Sequence, residues 1–101
     1  MATTTKALAR TALTTSTGTT LYTVPSATTT VISNIVLSNT AATSSTVTVA
    51  LDGVNILPTV SVAANSVIAF DIKQVLATTK TITGGASTTA VTIHISGVEI
   101  A

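Results

Sequence analysis

The stretch from Thr46 to Leu57 constrains this chain more than any other. Val47, Val49 and Leu51 alternate with Thr46, Thr48 and Ala50, the period-two pattern of a strand with one buried face. Asp52-Gly53 follows, a pair suited to the positive φ angles of a two-residue type I′ turn. Folding back there sets Leu51 opposite Val54 and Val49 opposite Ile56, so one face of the hairpin is expected to be continuously apolar. Pro58 has no N–H to give a ladder, so the return strand should end there or lie at a sheet edge. Turn chemistry and hydrophobic pattern agree on an antiparallel hairpin.

Similar signals recur along the 101 residues. Thr20 to Val24 reads as a short strand closed by Pro25. Thr30 to Asn39 is the longest, with Val31, Ile35 and Leu37 set one way and Ile32 and Val36 the other. That predicts cover on both faces. Asn39 to Ser45 reads as a loop. Ser66 to Ile72 gives a strand with Ile68, Phe70 and Ile72 on one side. Lys73 to Thr78 has room for a single helical turn, and nothing supports a longer helix. Lys80 to Thr83, a Gly84-Gly85 turn and Thr89 to Ile100 predict a last hairpin. There Val91, Ile93 and Ile95 give way to Val98 and Ile100, a phase slip that predicts a β-bulge beside Gly97. Residues 1–18 lack a clean apolar face and read as an N-terminal arm or first edge strand ending at Ser16-Thr17-Gly18. Residues 19–101 then form a single domain. The fold class expected is all-β, an antiparallel β-sandwich of jelly-roll or immunoglobulin-like type with about eight short strands.

Composition decides what such a sandwich can do. About a quarter of the residues are threonine, only 7% are charged, and Tyr22 and Phe70 are the only aromatics. A core of Val, Ile, Leu and Ala follows, each fully buried side chain stabilising by about 1.5–3 kcal/mol. Four cations (Lys6, Arg10, Lys73, Lys80) and three anions (Asp52, Asp71, Glu99) leave a formal charge of +1. Net charge so near zero favours association, so the surface reads as one meant to be covered by copies of itself or by a larger assembly.

Chemistry finds little purchase. His94 is the only histidine, and its strand phase sets it with Thr92 and Ser96, away from Val91, Ile93 and Ile95. Catalysis through it, for instance as a small esterase using a serine, would need a nucleophile and an orienting carboxylate beside it. Asp52 belongs to a turn, while Asp71 and Glu99 lie on separate strands, a poor basis for a glycosidase pair or a calcium loop. With no cysteine there is neither a disulfide framework nor a thiolate zinc site. Four scattered cations and two aromatics argue against nucleic acid as a partner. The most apolar stretch, Val54 to Asp71, is too interrupted to span a membrane, and no continuous apolar run follows Lys6 and Arg10 as a signal peptide requires. No enzyme activity, cofactor, metal or small-molecule substrate is expected.

Thr20-Leu-Tyr-Thr-Val-Pro25, Ser33-Asn-Ile-Val-Leu-Ser-Asn-Thr40 and Val91-Thr-Ile-His-Ile-Ser-Gly-Val98 carry a resemblance over roughly Thr19 to Ala101. The chain resembles small β-sandwich virion proteins of tailed bacteriophages, in which a Leu-Tyr-x-Val-Pro strand leads to an Asn-bearing strand, an Asp/Gly hairpin and a closing Val/Ile/Ser strand. These motifs are structural, and the family has no catalytic residue to carry over. The resemblance implies a capsid decoration (cement) protein on the outer surface of the assembled head, made in the host bacterial cytoplasm. Its expected partners are the major capsid protein and copies of itself as a homotrimer. A tail or fibre module contacting the host surface is the alternative. The arm from Thr3 to Thr17, with Thr5, Lys6, Leu8, Arg10 and Leu13, is where contact with a neighbour is expected, by pairing with its strand.

Overall fold

The computed structural model describes residues 2–101. Met1, the first residue of the expected arm, lies outside them. Nine strands follow in order: β1 (Thr3–Ala12), β2 (Thr20–Thr23), β3 (Thr29–Asn39), β4 (Ser45–Leu51), β5 (Val54–Val62), β6 (Ser66–Phe70), β7 (Gln74–Leu76), β8 (Thr81–Ala86) and β9 (Val91–Ile100). No described residue is helical. The first sheet runs β1-β9-β3-β6, with β7 also on β3, and the second runs β2-β8-β4-β5. Every pairing is antiparallel.

The two sheets enclose one apolar core. Ile32, Ile35, Leu37, Ile93 and Ile95 enter it from the first sheet, and Val47, Val49, Leu57, Val62 and Ile82 from the second. Leu13 and Val24, just past the ends of β1 and β2, close it. At one end Asn39 is buried, and its amide donates to the Thr43, Val62 and Ala63 carbonyls while Oδ1 accepts from Ala41 N–H. One side chain thereby ties the loop after β3 to the end of β5.

The Asp52-Gly53 turn forms with φ of 53° and 76°, and Leu51 lies opposite Val54. Val49, however, faces Leu57 rather than Ile56. Ile56 is an extra residue in β5, and a further irregularity at Pro58-Thr59, where Thr59 has φ 53°, restores Val47 opposite Val60. The apolar face is therefore not continuous, and Val54 is 70% exposed. Pro58 does not end the strand. It sits in β5, which is the edge of its sheet, where a missing N–H does no harm.

Other local expectations give way to long-range packing. Residues Lys73 to Thr78 hold β7 and no helical turn, because Leu76 is buried opposite Thr30 of β3. Gly84 and Gly85 lie inside β8, and β8 and β9 belong to different sheets, so no final hairpin exists. Gly85 admits close approach by the chain leaving β1, and Gly84 admits close approach by the Thr48 carbonyl of β4. Ala86 N–H donates to the Thr14 carbonyl at 2.9 Å and Gly84 N–H to Thr19 at 3.0 Å. A Cβ on Gly85 would collide with the Ser16 carbonyl. The apparent two-sided pattern of β3 comes from an extra residue at Ser33, which puts Thr30, Ile32, Ile35, Leu37 and Asn39 on one inward face.

Candidate functional site

The segment read as an arm or first edge strand is the edge strand of the first sheet over Thr3–Ala12, paired along its length with β9. Its pairing and that of β3 are both irregular at one level. Beside Ser96-Gly97, β1 carries Leu8 as an extra residue and β3 carries Ser33. The bulges thus lie in the neighbours of β9, not in β9 itself, and the inward phase of β9 continues through Gly97 to Glu99. Val98 and Ile100 face outward. Gly97 permits this arrangement, since a Cβ there would overlap the Val31 carbonyl and come within 2.9 Å of Leu8 Cδ1.

The paired bulges open a shallow groove of about 420 Å³ on the outer face of the first sheet, lined by Thr5, Lys6, Arg10, Ser33, Ser96 and Val98 among others. Ser33 Oγ donates across it to the Ser96 carbonyl at 3.0 Å. In the next row Arg10 lies directly opposite His94, which in turn faces Val36 of β3. The bond from Leu13 N–H to Val91 O, three pairs along the ladder, makes Arg10–His94 one of the alternate, non-hydrogen-bonded pairs, in which side chains stand closest. A smaller hollow of about 210 Å³ at the hairpin end is lined by Leu51, Val54, Asn55, Ile56 and Gln74 and holds no ionisable group.

The charges sort themselves into pairs. Lys73 meets Asp71 at 2.7 Å, Lys6 meets Glu99 at 3.3 Å and Lys80 meets Asp52 at 3.6 Å. Arg10 is the one cation with no acid partner among the described residues. Glu99, with its side chain 15% exposed, turns into the sandwich and accepts a hydrogen bond from the Tyr22 hydroxyl of the second sheet. That hydroxyl also lies 2.9 Å from Thr30 Oγ1. The Tyr22 hydrogen bond holds the Glu99 carboxyl below its ordinary pKa, opposed by burial and aided by Lys6. Burial first, and then the Glu99 hydrogen bond, raises the Tyr22 phenol. Asp71, hydrogen-bonded by Lys73, is likewise lowered.

Of the residues expected to meet a partner, Thr5, Lys6 and Arg10 are exposed and line the groove. Leu8 and Leu13 are 7% and 1% exposed and belong to the core, because the bulge turns Leu8 over Gly97 and Leu13 sits where the chain crosses between sheets. His94 has Arg10 and Val36 beside it rather than a carboxylate. No group of three His, Asp or Glu side chains is placed to hold a metal ion among the described residues. The Tyr22–Glu99–Thr30 cluster was not foreseen from sequence, where Glu99 reads as an ordinary residue of a C-terminal strand. No protein-family model matches the chain, and comparison with curated proteins and with solved structures gave no match.

Proposed function

We propose that this chain is a non-enzymatic virion structural protein of a tailed bacteriophage, a decoration protein that binds the outer surface of the assembled head. Its partners are the major capsid protein and copies of itself, as a homotrimer. The observation that carries this reading is strand order. With β6 and β7 counted as one strand interrupted at Asp71-Ile72-Lys73, the eight strands run 1-8-3-6 in one sheet and 2-7-4-5 in the other. That order supports reading the fold as a jelly roll, two interlocked Greek keys, an architecture of viral capsid and lectin domains. Fold alone does not assign function, and the charge-poor, hydroxyl-covered surface adds support, since it suits a subunit covered by neighbours. With β1 already paired to β9, the contact is proposed on the outer face of the first sheet. The lectin use of the same architecture, together with the open groove, favours a second reading as a tail or fibre module contacting the host surface.

Copy number tests the proposal. Purified virions should contain the protein at a stoichiometry comparable to that of the major capsid protein. A handful of copies per particle would move it to the tail, and its absence from the particle would overturn both readings.

A further inference from the structure

Each of the three acids is already paired with a lysine, so the formal charge of +1 resides at Arg10. Its guanidinium is exposed and makes no side-chain hydrogen bond among the described residues. It stands at the mouth of the larger groove, beside the imidazole of His94 and next to the hydroxyls of Thr5 and Ser96. No acid points outward from the strands of this face: Glu99 turns inward to Tyr22, Asp71 is tied to Lys73 at the sheet margin, and Asp52 lies at the hairpin tip. Around the groove the face mixes hydroxyls with apolar side chains. Val98, Val31 and Val75 form an apolar row on one side, the Arg10–His94 row on the other side continues into Val36 and Ala69, and Val67 lies one row further, with Val75 67% and Val67 64% exposed.

We propose that the groove at the paired bulges, with Arg10 and His94 at its mouth, is a docking site for an Asp or Glu side chain on an extended segment of a partner protein. The guanidinium offers a planar fork of donors that matches a carboxylate in two parallel bonds, and His94 and the hydroxyls add further donors. The Val98–Val31–Val75 row on one side and Val36 with Ala69 on the other bury apolar side chains of the same segment, which a free anion cannot exploit. This inference stands apart from the virion reading, since it follows from the unmatched charge and the groove.

The test is a titration of isotope-labelled, full-length protein followed by NMR. The probes are a blocked octapeptide of alternating threonine and valine with one central glutamate, the same peptide with glutamine there, and sodium acetate. The glutamate peptide should shift the amides of Arg10, His94, Ser96 and Val98. Binding should weaken roughly tenfold or more with the glutamine peptide, as loss of a charge-assisted bond implies. It should weaken equally in Arg10→Gln, a variant whose undisturbed spectrum confirms its fold. No shift, shifts elsewhere, or equal binding of the two peptides would overturn the proposal. Acetate binding as tightly as the glutamate peptide would also overturn it, leaving a small-anion site only.

Discussion

Replacing Tyr22 with Phe removes one oxygen atom and keeps the buried ring. That oxygen joins the sheets, since the hydroxyl of β2 reaches Glu99 on β9 and lies 2.9 Å from Thr30 Oγ1 on β3. Hydrogen bonds involving a charged partner contribute about 1.5–3 kcal/mol. Water reaches part of the cluster, so the lower figure applies. Near neutral pH, Tyr22→Phe should therefore cost about 1.5 kcal/mol, or about 6–12 °C in Tm for a domain of this size.

The pH dependence is more telling than the size. Glu99 has a lowered folded-state pKa, caused first by the Tyr22 hydrogen bond. Such a carboxylate stabilises the fold above its unfolded value of about 4.3, and that stabilisation disappears as pH falls through the depressed folded value. Tyr22 has a raised pKa, so its contribution is complete below about pH 10 and is lost as pH rises through the folded value. The stability gap between wild type and Tyr22→Phe should accordingly be widest between about pH 5 and pH 10 and narrow on both sides. Urea unfolding followed by circular dichroism at a series of pH values measures the gap. Tyr22 is the only tyrosine, so phenolate absorbance reports its ionisation directly. A gap that stays constant from about pH 3 to about pH 11 would refute the coupling of the two groups.

Two further substitutions probe how β1 is held. Gly97→Ala forces a Cβ into the Val31 carbonyl and the Leu8 side chain, and should destabilise by about 2 kcal/mol or more as a backbone-strained overpacking; an unchanged denaturation midpoint would show that the bulges relax freely. Leu13→Ala empties a site only 1% exposed and should cost about 2–5 kcal/mol, whereas a segment that detaches from the sandwich would show almost no loss in the same unfolding experiment.

The sequence made strands and turns legible wherever the deciding interactions were local. The Thr46 to Leu57 hairpin is announced by its own alternation and its own Asp-Gly pair. The failures share one cause. Gly84-Gly85 has the composition of a turn, but what selects glycine there is distant chain: Thr48 of β4 against Gly84, and Ser16, some seventy residues earlier, against Gly85. The slip between Ile95 and Val98 was visible, but the extra residues lie in β1 and β3, and nothing in β9 says so. Lys6 and Arg10 could be singled out as exposed cations on an unpatterned strand. Their setting beside Ser96 and His94, and the separation of Lys6 into an ion pair while Arg10 stays unmatched, depend on pairing the two ends of the chain.

Edges and faces of this sandwich are built differently, and the difference bears on how it can associate. An open strand edge invites addition of another strand, and proteins blunt it with charges, proline, bulges or brevity. All four margins carry such a device. β1 has a bulge with Lys6 and Arg10, β2 has only four residues, β5 has Pro58 and two register shifts, and the β6–β7 margin breaks at Asp71-Ile72-Lys73. Apart from Arg10 and the paired bulges beside it, the faces carry none of these. Threonine hydroxyls on them hydrogen-bond to water when free and to partner groups when covered, and a neutral hydroxyl is far less costly to desolvate than a charge. Association through faces needs a source of orientation, because hydroxyls and valines recognise a partner only loosely. A single unmatched guanidinium on an otherwise neutral face supplies that orientation, which is why Arg10, rather than the edge of β1, is the position where substitution should separate folding from recognition.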